Sequence, residues 1–298
     1  MAAKIDDTPP VSIGLPVYNG DPYIEATLDS LLTQTFQDLE IIISDNASTD
    51  RTAEICRRYA EKDSRIRYFR NSTNIGSARN FNQTVTLASG KYFKSASADD
   101  LAAPELVEKC VAVLDQHPEV VLCYGKSILI DEHGRFLCEY EDRLDLRSAN
   151  TTERFSRAVQ DTGLVNILQG VMRINALRKT AILGRYVGSD VILAAELALY
   201  GQFYELPERL FFRRIHPAAY SSQPTLEGRL AYMDPSRKDD VALHVWRQYS
   251  EYIRAICRSP VSPAAKTRLI LWILRRAISV RAHLLGEVSV AVRQMFRR

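Results

Sequence analysis

Val11-Ser12-Ile13-Gly14-Leu15, running into Pro16-Val17-Tyr18-Asn19-Gly20, and Leu39-Glu40-Ile41-Ile42-Ile43, running into Ser44-Asp45-Asn46-Ala47-Ser48-Thr49-Asp50, decide the fold. Each short apolar run ends in polar residues and reads as a buried strand followed by a loop. A helical pattern follows each: Asp21 to Gln34, with Ile24, Leu28, Leu31 and Leu32 at helical spacing, and Asp50 to Tyr59, with Ile55 and Tyr59 turned inward. The alternation continues outward with strand Ile66 to Phe69, helix Ser77 to Ala88, strand Tyr92 to Ser95, helix Pro104 to Gln116 and strand Val120 to Tyr124. Such an alternation over about 125 residues predicts an α/β fold, a Rossmann-like and mostly parallel central sheet flanked by helices. Ligands of such sheets bind outside the carboxyl ends of the strands, where the polar residues gather.

The pattern then changes. Ile128-Leu129-Ile130 and Arg135 to Tyr140 flank Asp131-Glu132-His133-Gly134 as a hairpin at the sheet edge. Thr152 to Val159, Ala176 to Ile182 and Val191 to Tyr200 read as helices, and Phe203 to Leu206 and Leu210 to Phe212 as extended segments. From Thr225 onward the chain reads as helix, broken at Ser259-Pro260-Val261-Ser262-Pro263. The expected division is a catalytic-type domain at 1–222 and a basic helical extension at 223–298.

Composition excludes several classes. With 298 residues, 46% hydrophobic and 25% charged, the chain is an ordinary globular protein, and a net charge of +3 gives no case for binding nucleic acid. Cys56, Cys110, Cys123, Cys138 and Cys257 are odd in number and lack C-x-x-C spacing, which speaks against a disulfide framework or a zinc knuckle. Met1 to Asp7 has no apolar core of a signal peptide, and no stretch has the apolar length of a spanning helix. A cytoplasmic location is the expectation.

The strand ends carry the candidate chemistry. Tyr18 can stack on a planar base and Asp45 can accept a hydrogen bond from a base N–H, although an aromatic after a strand also packs and an Asp-Asn pair also builds turns. Asn74-Ile75-Gly76-Ser77-Ala78-Arg79-Asn80 opens a helix and sets Arg79 on its first turns, against a ligand or in solvent. Asp99 and Asp100 are adjacent carboxylates that repel unless a cation lies beside them. A bridging Mg²⁺ or Mn²⁺ would relieve that repulsion. A helix-capping role ahead of Leu101-Ala102-Ala103-Pro104 is the alternative.

In order, LPVYN, SDNASTD, NIGSARN and SADD resemble the motifs of the inverting family 2 glycosyltransferases, enzymes of the GT-A fold, over residues 10 to 215. The resemblance implies transfer of a sugar from a nucleotide-sugar donor, most simply a UDP-sugar, to an acceptor hydroxyl. It makes Pro16, Tyr18, Asn19 and Asp45 nucleotide contacts, joined by Arg79, and gives Asp99 and Asp100 the ribose and a divalent metal, Mn²⁺ or Mg²⁺. Many members carry Asp where this chain has Ser97, which weakens the metal motif. The family places its general base at the start of a later helix, where Gly188-Ser189-Asp190 makes Asp190 the base, with Glu196 as a weaker candidate. In Arg213-Arg214-Ile215-His216, Arg214 becomes a diphosphate clamp and His216 a third metal ligand. The Gln-x-x-Arg-Trp motif of processive members is missing, favouring one sugar per encounter.

Lys266, Arg268, Arg275, Arg276 and Arg281 punctuate an apolar Leu269 to Leu274, with Arg293, Arg297 and Arg298 beyond and Glu287 the only acid in that stretch. The pattern suits a peripheral contact with an anionic membrane surface, or packing on the domain or a second copy. A growing glycan or a lipid-linked acceptor in surface polysaccharide or glycolipid synthesis fits the family and the tail. Three other readings are weaker. A nucleotidyltransferase would need a Gly-rich phosphate loop after the first strand, and a catalytically inactive, membrane-associated binding partner draws only on Ser97. A dehydrogenase lacks G-x-G-x-x-G.

Overall fold

The computed structural model describes residues 9–234, 236 and 243–295; Met1 to Asp7, Arg297 and Arg298 lie outside them, as does the side chain of Arg293. The first half alternates as expected: β1 (Val11–Val17), α1 (Ile24–Leu32), β2 (Leu39–Asp45), α2 (Thr52–Lys62), β3 (Ile66–Arg70), α3 (Ser77–Leu87), β4 (Tyr92–Ser95), β5 (Leu101–Ala102) and α4 (Leu106–Gln116). There follow β6 (Val120–Ile130), β7 (Phe136–Tyr140), α5 (Thr151–Gln160), β8 (Val171–Arg173), α6 (Ile174–Leu177), α7 (Ser189–Tyr200) and β9 (Gln202–Arg214). Four helices close the described chain: α8 (Leu226–Met233), α9 (His244–Arg258), α10 (Pro263–Ser279) and α11 (Arg281–Met295).

All the described strands join one sheet, ordered β3-β2-β1-β4-β8-β6-β9-β5, with β7 on the edge of β6. The block β3-β2-β1-β4 is parallel, β8 runs antiparallel between β4 and β6, and β6 pairs with β9 in parallel. The α/β architecture is therefore the one expected, with a mixed second half.

Strand periodicity explains how helices cover both faces. Val11, Ile13, Leu15 and Val17 of β1 enter one hydrophobic cluster with Ile24 and Leu28 of α1 and Val107 of α4. The opposite positions are small. A Cβ at Gly14 would lie 2.5 Å from Phe93 and from the Thr84 hydroxyl, so α3 packs directly over the strand. In β2, Ile41 and Ile43 join the first cluster and Ile42 the second. Both strands are almost entirely buried, as a sheet covered on two sides requires.

Three expectations need correction. The strand at Val120 continues to Ile130, because β9 pairs with it over its whole length. The two segments expected at Phe203 and Leu210 form one strand: the register jumps from Gly125–Leu206 to Lys126–Arg209, and the bulge houses Pro207, which lacks the donor a ladder needs. The helix expected at Ala176 to Ile182 stops at Leu177, where the Thr180 hydroxyl hydrogen-bonds the Leu177 carbonyl and accepts from Ile182 N–H, and Ile182 takes a positive φ of 54°.

Beyond β9 the helices pack onto the sheet layer. Tyr252 and Ile256 of α9 and Leu269 and Ile273 of α10 share one cluster with Phe155 of α5 and the apolar face of α7. Glu196, wholly buried on α7, accepts from Arg258 of α9 at 2.7 and 3.0 Å and from the Ala181 N–H. Among the described residues no helix is long and apolar enough to cross a membrane. All five cysteines are free, Cys56, Cys110 and Cys123 buried.

Candidate functional site

A cavity of about 630 Å³ opens at the carboxyl ends of β1, β2 and β4 and is closed on its far side by segments from the second half of the chain. Of the residues singled out in the sequence, Pro16, Tyr18, Asn19, Asp99, Asp100, Asp190, Arg214 and His216 line it. Tyr18 is 47% exposed, an open ring face at the mouth. Asn19 takes the left-handed backbone (φ 51°) that asparagine tolerates, donates its N–H to the Ser48 hydroxyl and accepts from Thr49 N–H at 2.8 Å, tying the β1 loop to the β2 loop.

Asp45 and Arg79 do not line the cavity. Asp45 is fully buried at the end of β2, where Ser48 N–H, the Tyr68 hydroxyl and Arg70 hydrogen-bond both of its oxygens at 2.7–2.9 Å. The next residue, Asn46, takes that place in the wall. Arg79 is exposed, because α3 turns Ser77, Asn80 and Phe81 to the cavity instead. The sequence reading also missed an asparagine lattice beneath this wall. Asn46 donates to the Asn74 Oδ1 and accepts from Asn71 and the Ile75 N–H, while Asn80 accepts from Asn71 and the Ser44 hydroxyl and donates to the Ser44 carbonyl. Its only signal was the spacing of asparagines after successive strands.

The acidic turn is held from several sides. The Asp100 carboxylate accepts from Arg214 N–H and the Asp99 carboxylate meets His216 Nε2, at 2.8 and 2.9 Å. Burial, then the neighbouring Asp99 charge, push Asp100 well above the usual carboxylate range; Arg214 N–H, the Arg213 charge and the Ser97 hydroxyl work against that rise. Ser97, the sequence's departure from the acidic motif, accepts from Gln169 Nε2 at 3.0 Å.

Arg214, expected as a phosphate clamp, lines the cavity and is also held from behind. Its Nε donates to the Asp99 carbonyl and its Nη1 to the carbonyls of Asp131 and Glu132, with the guanidinium 4.8 Å over the Tyr23 ring. It braces the acidic turn against the β6–β7 hairpin. The neighbouring Arg213, overlooked in the sequence, lines the same cavity, with Nη1 on the Leu164 carbonyl and Asn166 Oδ1. Its charge pulls down both Asp100 and Asp190.

Asp190 sits in the first turn of α7 after Gly188, whose φ of 82° sets the chain's entry into the helix. One carboxylate oxygen accepts from Val191 N–H at 3.0 Å. Burial raises its proton affinity above that of a free aspartate. The adjacent Ser189 hydroxyl and Gln169 Oε1 are buried without a hydrogen-bond partner among the described residues, and both residues line the cavity. Glu196, the weaker base candidate, is excluded from the cavity by its ion pair with Arg258. Ala231, Tyr232 and Met233 of α8 complete the wall, so the segment expected to be an extension contributes to the site.

Among the described residues no three His, Cys, Asp or Glu side chains are grouped as a ready metal cage. The donors that do converge fit a divalent cation in another way. Asp99 and His216 atoms 2.9 Å apart match two adjacent ligands of an octahedral ion with bonds of about 2.1 Å. Hard cations of this kind are commonly held by one or two carboxylates plus substrate phosphates rather than by protein alone.

Residues 12–164, just over half of the chain, match the profile of glycosyl transferase family 2. The chain is 26% identical to an uncharacterised glycosyltransferase of Haemophilus influenzae over 223 residues, 73% of this chain and 69% of that protein. It is 33% identical to an uncharacterised glycosyltransferase of Methanocaldococcus jannaschii over 137 residues, 45% of this chain and about half (47%) of that protein's length. Among solved structures, S. aureus TarS 1–349 in complex with UDP superposes with a TM-score of 0.63 at 17% identity, covering 90% of this chain and 72% of that one. The mannosyltransferase PcManGT from Pyrobaculum calidifontis in complex with GDP-Man and Mn²⁺ gives 0.54 at 17% identity, over 97% and 80%. At such identities the likeness is one of fold.

Proposed function

The chain belongs to glycosyl transferase family 2, and from that premise we propose that it transfers a sugar from a nucleoside-diphosphate donor, a UDP-sugar in the first instance, to an acceptor hydroxyl, with inversion at the anomeric carbon on a GT-A scaffold. The observation that carries this reading is that one cavity is lined at once by Tyr18, Asp99, Asp100, Asp190 and His216, residues drawn from ends of the chain that only the fold unites.

The Tyr18 ring and the Asn46 wall receive the base, and Asp99 holds the ribose. A divalent cation, Mn²⁺ or Mg²⁺, would be held by Asp99 and His216, with Asp100 beside them, and would neutralise charge on the departing diphosphate. Arg214 keeps the acidic turn in place, and Arg213 supplies positive charge inside the cavity. Asp190 takes the proton from the acceptor hydroxyl as that oxygen bonds the anomeric carbon, while the bond from this carbon to the diphosphate breaks on the opposite face. Its raised proton affinity favours the role, because a base works best with a pKa near the working pH. Unpartnered Ser189 Oγ and Gln169 Oε1 offer hydrogen bonds to sugar hydroxyls.

The acceptor in this reading is a growing surface glycan or a lipid-linked intermediate, and five free cysteines suit a cytoplasmic location. A donor-hydrolysis screen over UDP-, dTDP- and GDP-sugars with Mn²⁺, Mg²⁺ or EDTA tests it. One donor turned over, and lost with chelator, is the expected result. Folded protein that neither binds nor hydrolyses any of these donors would refute it.

A further inference from the structure

The outward face of α10 and α11 is apolar where a surface helix is ordinarily polar. Ala265, Leu269 and Ile273 are buried, the last two in the cluster that holds Tyr252, Ile256 and Phe155. On the opposite side Leu271, Leu274 and Ile278 are 48%, 46% and 61% exposed, and Leu285 and Val288 of α11 continue the stripe at 64% and 39%. Steps of three and four residues put Leu271, Leu274 and Ile278 on one side of α10, and a step of three puts Leu285 and Val288 on one side of α11. Exposed Arg268, Arg275 and Arg281 flank the stripe.

The one acid of this region is removed from that face. Both Glu287 oxygens accept from Val245 N–H at 2.8 and 3.0 Å, and one also from Trp246 N–H, so the carboxylate caps the start of α9. Among the described residues, the charged side chains that α10 and α11 leave exposed are all cations. An apolar stripe flanked by cations is what a helix lying at an anionic lipid surface presents to the acyl chains and the headgroups. The helices do not have the length and apolarity to span a bilayer.

We propose that α10 and α11 form a docking face for an anionic lipid bilayer, lying in the interface plane with Leu271, Leu274, Ile278, Leu285 and Val288 among the acyl chains and the arginines at the headgroups. α9 packs against both these helices and α7, so the face is joined to the helix bearing Asp190. The proposal stands apart from the catalytic reading and is tested without substrate.

The test is flotation of the full chain with vesicles of phosphatidylcholine alone or with 30 mol% phosphatidylglycerol, in about 0.15 M salt, where charges are screened beyond roughly 8 Å. The parent protein is expected to float with anionic vesicles and stay behind with neutral ones. The triple variant Arg268→Gln, Arg275→Gln, Arg281→Gln should weaken binding by about 100-fold, from roughly five-fold per cation. Leu271→Ser, Leu274→Ser, Ile278→Ser should abolish it; if that variant melts early, the arginine variant carries the test alone. Parent protein that ignores anionic vesicles overturns the proposal. So does a dimer, measured by light scattering, that dissociates in either variant, which would assign the face to a second copy of the chain.

Discussion

The two walls of the cavity are built in opposite ways. The wall at the ends of β1 and β2 comes from short loops after neighbouring parallel strands, and its polar groups hydrogen-bond to one another: Asn19 to Thr49, Asn46 to Asn74, Asn80 to Ser44. The facing wall gathers Asp100, Leu164 to Asn166, Leu168, Gln169, Ser189, Asp190, Arg213 and Met233 from distant elements and keeps groups strained by burial or left without partners. Satisfied networks make rigid platforms, whereas buried groups held away from their ordinary protonation or pairing are poised to act on something else. One wall is suited to hold a ligand and the other to react with it.

That contrast can be broken at several points. Asp190→Asn keeps the shape of the reactive wall and removes its base; kcat should fall by about 10²–10⁴-fold with donor affinity preserved. Parental turnover with intact binding would move the base elsewhere. Arg258→Met leaves the buried Glu196 carboxylate unpaired beneath the same helix. Complete burial of such a pair would put the loss at about 3–5 kcal/mol, but Arg258 is 38% exposed, so about 2 kcal/mol is expected in thermal or urea unfolding.

Asp142 sharpens the comparison through pH. It is buried behind Asn166, accepts the Asn166 N–H, and is pushed up to about 7, chiefly by burial. An acid whose folded pKa exceeds its unfolded value keeps its proton in the native state longer, so its contribution to stability falls as pH rises from about 4 to 7. Asp142→Asn should flatten that fall by up to about 1.4 kcal/mol per pH unit within the window, measured by urea unfolding at pH 5 and pH 7.5. An unchanged slope would mean that Asp142 titrates normally. The smallest effect belongs to Arg79→Ala on the outer side of α3: an exposed side chain away from the cavity predicts unchanged donor affinity and a stability change within about 0.5 kcal/mol. A ten-fold loss of donor affinity would return Arg79 to the site.

What the residues reveal by themselves follows the same division. Strand and helix periodicity, the polar strand tips at Tyr18 and Asn19, and the adjacent acids at Asp99 and Asp100 depend on neighbours a few positions away, so they can be read in order along the chain. Orientation within a motif was less legible: Asp45 and Asn46 are adjacent, and only the packing of Tyr68 and Arg70 decides that the first is enclosed and the second faces the cavity. The same holds for Arg213 and Arg214, neighbours on β9 with different tasks, because the β6–β7 hairpin closes over one of them.

Sequence alone therefore determined the α/β order, the family motifs and the loops from which a site had to be made, since these rest on local spacing and burial preference. Tertiary structure decided which side chain of each motif reaches the cavity, that α8 completes it, and that Glu287 is turned away from the outer face of α11. Those outcomes depend on contacts between residues far apart in the chain, and a side chain's reach is set by what packs against it.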